Sequence, residues 1–116
     1  GCIINGAKIM TSVIGLRSRI SKGVQIDSSF MMGADYYQTF EEMRGDLSRG
    51  VPRVGIGEGT VIKRAIIDKN ARIGKNARLL NEGGVGEVDG PDGAYFIRDS
   101  IIIVPKNAVI GDGTVI

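Results

Sequence analysis

The chain of 116 residues has no histidine, no tryptophan and one cysteine, Cys2. Without imidazole there is no Ser-His triad, no histidine-ligated zinc and no histidine general base. One cysteine makes neither an internal disulfide nor a thiolate metal cluster. Aromatics are few, three Tyr and three Phe, and none interleaves with the cations as at a nucleic-acid surface. No apolar run approaches the roughly 18 residues of a membrane-spanning helix. The formal net charge of +2 argues neither for nor against a nucleic-acid partner. The chain opens on Gly1-Cys2-Ile3, inside an apolar pattern and without a charged region, apolar core and cleavage site. That opening is expected of a piece of a longer protein.

What is present is glycine, 18 residues, and an apolar content of 42% that is mostly aliphatic. Glycine near twice its usual share, with Ile and Val, favours a regular β architecture with many tight corners. Aliphatics recur six apart at Ile14, Ile20, Ile26 and Met32, at Ile67, Ile73 and Leu79, and at Val104, Ile110 and Ile116. Small or β-branched residues follow four later, among them Ser18, Val24, Thr60, Ala71, Ala77, Ala108 and Thr114. A stripe at spacing six drifts around a 3.6-residue helix, and glycine at this density is costly in helices. A meander would need hairpin turns, and no Asn-Gly or Asp-Gly signal separates alternating strands. A coil of short strands fits, with one inward aliphatic per hexad and a glycine or polar residue at each corner. Residues 8–26 also align without gaps to residues 61–79, an offset of 53, and a looser third copy runs over 97–116. The expected fold is all-β: one hexapeptide-repeat solenoid over residues 1–116, a parallel β-helix.

Two segments leave the rhythm. Residues 33–53 carry Tyr36, Tyr37 and Phe40, then Glu41-Glu42-Met43-Arg44, then Gly50-Val51-Pro52. They predict an excursion with a turn or two of helix, and its three aromatics point to an interface, being costly to leave in water. Residues 81–96 are Gly-rich and acidic, with Pro91, and predict an exposed loop. Basic residues gather in 62–78, six against the single acid Asp68. Charges at non-aliphatic positions of a coil face outward, so this stretch predicts a cationic surface suited to a small phosphorylated ligand. Lys69 and Lys106 share a phase, two residues after the inward Ile67 and Val104. Whether they also share a face depends on where the chain re-enters the coil after the acidic loop. The Gly-rich stretches 55–59 and 83–86 lack the Gly-Lys-Ser/Thr of a phosphate loop and are read as turns.

Ser12-Val13-Ile14-Gly15-Leu16-Arg17-Ser18 and Met32-Gly33-Ala34-Asp35-Tyr36-Tyr37-Gln38-Thr39 closely resemble segments of plant and cyanobacterial ADP-glucose pyrophosphorylases. So do residues 63–74, from Lys63-Arg64-Ala65 through Asp68-Lys69-Asn70 to Gly74, and Lys106-Asn107-Ala108. The resemblance spans the whole chain. It implies a left-handed coil, against the usual hand of parallel crossovers, lying C-terminal to a nucleotidyltransferase domain that nothing here matches. It implies an enzyme making ADP-glucose and pyrophosphate from ATP and glucose 1-phosphate in starch or glycogen synthesis. ATP and Mg²⁺ would be bound by the catalytic domain, and no cofactor or metal by this segment. Catalytic residues are expected to be absent and the segment alone inactive. It implies partners too: its own catalytic domain, other subunits of a homo- or heterotetramer, and the anionic effectors 3-phosphoglycerate and phosphate. By their local motifs Lys69, Lys106 and Asp68 match the family's effector site. Lys63-Arg64-Ala65 looks like the small subunit, whereas Met31-Met32 and residues 76–80 look like the large one. The implied compartment is a plastid for a plant or algal protein and the cytoplasm for a cyanobacterial one. The rival classes are a hexapeptide acyltransferase, which generally relies on a histidine base, and a structural β-solenoid, which predicts flat Thr-rich faces.

Overall fold

In the computed structural model, which describes residues 3–4, 6–35 and 38–116, the chain winds as a parallel β-helix of short strands. Cys2, Tyr36 and Tyr37, which bear on the sequence-based expectations, lie outside the described residues. The first coil holds β1 (Ile3–Ile4), β2 (Lys8–Met10) and β3 (Val13–Ile14). The second holds β4 (Arg19–Ile20), β5 (Gln25–Asp27) and β6 (Phe30–Met31). After the helix α1 (Phe40–Ser48) the third coil runs through β7 (Gly55–Ile56), β8 (Val61–Lys63) and β9 (Ala65–Ile67). The fourth begins with β10 (Arg72–Ile73) and β11 (Arg78–Leu79). It detours through β12 (Val88–Asp89), a 3₁₀ turn at Pro91–Gly93 and β13 (Phe96–Arg98), then returns as β14 (Ile101–Val104). The fifth contributes β15 (Val109–Ile110).

Three parallel faces result. The first stacks β1, β4, β7, β10 and β15, the second β2, β5, β8 and β11, and the third β3, β6, β9 and β14. Their inward residues form three aliphatic columns. Ile20, Ile56, Ile73 and Ile110 line the first face, Ile26, Ile62 and Leu79 the second, and Met31, Ile67 and Val104 the third, all buried. Ile20, Ile26, Ile67, Ile73 and Ile110, all members of the aliphatic hexads, are at most 2% exposed. The inward residue changes at one position. Met31, 3% exposed, fills the column in place of Met32, which is 39% exposed. The corner between the second and third faces closes in five residues, from Ile26 to Met31 and from Ile62 to Ile67, where the other corners take six. A strict hexad therefore overshoots by one there, and with a period of two in a strand one residue reverses the side chain's face. The five-residue corner is turned at positive φ by Thr11, Ser28 and Arg64 in turn, and Asn81, at the same position of the fourth coil, opens the detour instead.

The first excursion is longer in helix than expected. Thr39 and Glu42 exchange side-chain and backbone bonds, Glu42 N to Thr39 Oγ1 at 3.1 Å and Thr39 N to Glu42 Oε1 at 3.0 Å, a capping box that starts α1. The second is no bare loop. β13 adds antiparallel to β14 and β12 antiparallel to β13, with Arg98 opposite Ile101, leaving Asp99-Ser100 as a two-residue turn. Both turn residues have positive φ, 50° and 64°, as a hairpin of that length requires. β13 so covers the outer edge of β14. Asn81, buried, pins the detour by accepting from Val85 N at 3.0 Å and donating to Val85 O at 2.8 Å.

Candidate functional site

The corner leading from the third face to the first brings the two matched lysines together. Val104 pairs with Ile67, and Asn107 N donates to Lys69 O at 3.0 Å, so Lys106 stacks on Lys69 one coil away. The acidic detour is therefore spliced out as the spacing allowed. Below them the same corner position is held by Leu16 and Gly33, through Ala34 N to Leu16 O at 2.9 Å and Asn70 N to Gly33 O at 3.1 Å. Gly33, at φ +88°, lets the chain leave the coil here. A side chain there would run into the carbonyl of Leu16.

Two residues beyond Gly33, Asp35 faces both lysines. Lys69 Nζ lies 3.5 Å from one of its carboxylate oxygens and Lys106 Nζ 3.9 Å from the other. Asn70 holds the carboxylate in place, donating Nδ2 to Asp35 Oδ2 at 3.0 Å and accepting from Asp35 N at 2.9 Å. Arg17 Nε donates to the Asp35 carbonyl at 3.2 Å. The Asn70 bond and then the two lysine charges hold the Asp35 carboxyl below its ordinary value. All three charged side chains are about half exposed. Asp68 plays a different part. Its Oδ1 accepts from Lys69 N at 2.6 Å, so its side chain shapes the turn that carries Lys69. Sequence reasoning missed Asp35 as a site member, although the residue lies inside a segment that carried the family resemblance.

The expected single cationic surface over residues 62–78 does not form. One coil takes 17 residues, the step from Ile56 to its column neighbour Ile73, so a run of that length circles the helix once. Lys63 and Arg78 point out from the second face, Arg64 sits at the five-residue corner, Lys69 at the next and Lys75 at the third. Arg72 is partly buried on the first face under the first excursion. It pairs there with Asp46, whose side chain is only 4% exposed. Gln38 Nε2 donates to Asp46 Oδ2 at 2.6 Å, and Arg49 Nη2 to Asp46 Oδ1 at 2.8 Å. Burial pushes the Asp46 carboxyl up, and bonds from Gln38 and Arg72 outweigh it, leaving the group below its ordinary value. This cluster clamps the excursion to the coil.

The third face bears a further feature. Its outward residues pair strand by strand as Val13, Phe30, Ile66, Ile103 and Phe96, an apolar stripe crossing five strands. The first three are exposed. Phe40, the described aromatic of the first excursion, is 82% exposed. Among the described residues, no group of three or more His, Cys, Asp or Glu is placed to hold a metal ion. No helix there is long and apolar enough to cross a membrane.

Comparison with known proteins accounts for the whole chain. Residues 1–115 match the GLGC left-handed parallel β-helix domain, which supplies the hand of the coil. All 116 residues align at 48% identity with the large subunit 1 of glucose-1-phosphate adenylyltransferase, chloroplastic/amyloplastic, of Zea mays. The chain spans 22% of the length of that curated relative.

Proposed function

Because the chain belongs to the GLGC left-handed parallel β-helix family, we propose that it is the C-terminal regulatory and assembly portion of a glucose-1-phosphate adenylyltransferase. The parent enzyme joins ATP and glucose 1-phosphate into ADP-glucose and pyrophosphate, in a plastid as its maize relative's name indicates for that protein. ATP and Mg²⁺ belong to a separate catalytic domain, and this portion alone makes no ADP-glucose. Its own work is to bind an anionic effector such as 3-phosphoglycerate or phosphate at Lys69 and Lys106, with Asp68 positioning the turn. A homo- or heterotetramer and the catalytic domain are the partners against which it packs.

The observation that carries the reading is the sharing of one carboxylate by two lysines stacked on adjacent coils. Lys69, Lys106 and Arg17 against Asp35 and Asp68 leave a local positive charge fixed by backbone geometry, which an anion with several oxygens can bridge. Asp35 is an internal stand-in that the effector displaces or joins. The apolar stripe of the third face supports the assembly role, since flat apolar surface of this extent marks contact with another domain or subunit.

In the intact enzyme, Lys69→Ala or Lys106→Ala is expected to raise the half-maximal activator concentration about tenfold to a hundredfold, the value of one charge-assisted contact. Unactivated turnover stays near the parental level. Lys22→Ala, on a different corner, serves as control and leaves activation unchanged. Equal effects at all three lysines would reduce the site to general surface charge and defeat the assignment.

A further inference from the structure

A second concave site lies on the other side of the first face, between α1 and the corner that joins the first face to the second. It is an open cleft of about 700 Å³, within the range of roughly 300–1,000 Å³ typical of small-molecule sites. One wall is apolar, made by Phe40 and Met43 of α1 with Val51 and Pro52. The lining also holds three cations, Arg44, Arg53 and Lys75, and one carboxylate, Glu58. Arg53 is the most constrained of the cations. Its Nη2 donates to Ser21 Oγ at 2.9 Å, its Nη1 rests 4.0 Å from Met43 Sδ, and no carboxylate comes within ion-pair distance of it among the described residues. Partial burial, then the neighbouring Arg19, lowers the Arg53 guanidinium from its ordinary value, with Glu58 pulling the other way. That environment disfavours its charge and would be relieved by an added anion.

We propose that this cleft binds a small organic anion with an apolar body, the body lying on Phe40, Met43, Val51 and Pro52 and the anionic group meeting Arg53. Both halves of the ligand follow from the walls. A bare inorganic anion leaves the apolar wall wet, and a neutral apolar molecule adds nothing to offset three cations that Glu58 alone opposes in the lining. The site is separate from Lys69 and Lys106, which lie at the opposite corner of the first face, and it does not depend on the effector reading.

The test titrates the full chain with two fluorescent probes that share one body, 1-anilinonaphthalene-8-sulfonate and its uncharged parent N-phenyl-1-naphthylamine. The sulfonate is expected to bind roughly tenfold more tightly than the neutral probe, the effect of one charge-assisted contact. Arg53→Met keeps the stem and removes the charge, and should abolish that preference while retaining the neutral probe. Phe40→Ser, at a side chain too exposed to support the fold, should weaken both probes. Lys69→Ala should change neither, and Phe30→Ser, on the third-face stripe, should leave the preference intact. A preference that survives Arg53→Met, probes indifferent to Phe40→Ser, or a preference that disappears with Lys69→Ala or Phe30→Ser would each overturn the proposal.

Discussion

Two corners of the same coil carry charge in opposite arrangements. Where the first face turns into the second, successive coils present Lys22, Glu58, Lys75 and Asp112, stacked by Gly59 N to Lys22 O, Asn76 N to Glu58 O and Gly113 N to Lys75 O. The signs alternate, so each charge has an opposite neighbour about one strand spacing, roughly 4.8 Å, away. Where the third face turns into the first, the stack reads Leu16, Gly33, Lys69 and Lys106, with Asp35 ion-paired to both lysines from beside the stack. The backbone geometry is nearly the same, and the order of signs differs. A parallel coil makes any corner a ruler of fixed spacing. Alternation turns that ruler into a self-neutralised surface, and repetition of one sign makes it a receptor for the other.

The largest effect should fall on both corners at once. Ile73 lies in the strand that the lysine corner enters and the alternating corner leaves, and it is 1% exposed. Ile73→Ala should cost about 2–5 kcal/mol, the usual range for emptying a packed aliphatic site. Chemical denaturation reads it, and a cost below about 1 kcal/mol would contradict the packing described.

A somewhat smaller effect should separate the corners. Asp46→Ala leaves Arg72 and Gln38 without their partner beneath the excursion that carries Asp35. A cost of about 3 kcal/mol follows from breaking a largely buried pair. Hydrogen exchange should quicken in residues 38–54 while the alternating corner stays protected. The same carboxylate has a pH signature. Its folded-state value lies below the ordinary 3.8, so its stabilisation is present above that pH and is lost as pH falls through the lower, folded-state value. Asp46→Asn should therefore flatten the acid limb of the stability curve.

The smallest expected effect converts one corner toward the other. Glu58→Lys would place three cations in succession where signs now alternate, the introduced one standing between Lys22 and Lys75. Weak phosphate binding should appear there, with a dissociation constant in the millimolar range, detectable by shifts of the backbone amides of residues 57–59. Stability should move by less than about 1 kcal/mol, as for other exposed charges. No gain of binding would show that Lys69 and Lys106 depend on more than the order of signs.

Much of this was legible in the residues. The aliphatic hexads give the coil because one large inward residue per step is a local demand, repeated wherever a strand meets a corner. The register slip at Met31 was not, because a strict count of six from Ile26 lands on Met32, although the same five-residue step stands in the sequence from Ile9 to Ile14 and from Ile62 to Ile67. The Asp99-Ser100 turn lacks glycine and so escaped a search for Asn-Gly or Asp-Gly. Lys69 and Lys106 were picked out by phase and motif, yet their meeting rests on where the chain re-enters after β13. Asp35 and Asp46 find their partners 34 and 26 residues away. Those contacts are created by the path of an excursion, which no local pattern encodes.

The two excursions also bear on how chains of this kind vary in length. The first leaves the coil after β6 and rejoins at β7, and the second leaves after β11 and rejoins at β14, each at a single corner. Nothing in the stacking counts the residues spent between exit and return. Doubling such a segment costs only about 0.6 kcal/mol in closure entropy. One residue deleted inside a coil instead turns every later side chain to the wrong side until a corner absorbs it. Insertions and deletions should accordingly gather in residues 36–52 and 82–95, and the 17-residue coils should keep their length while their surface letters change.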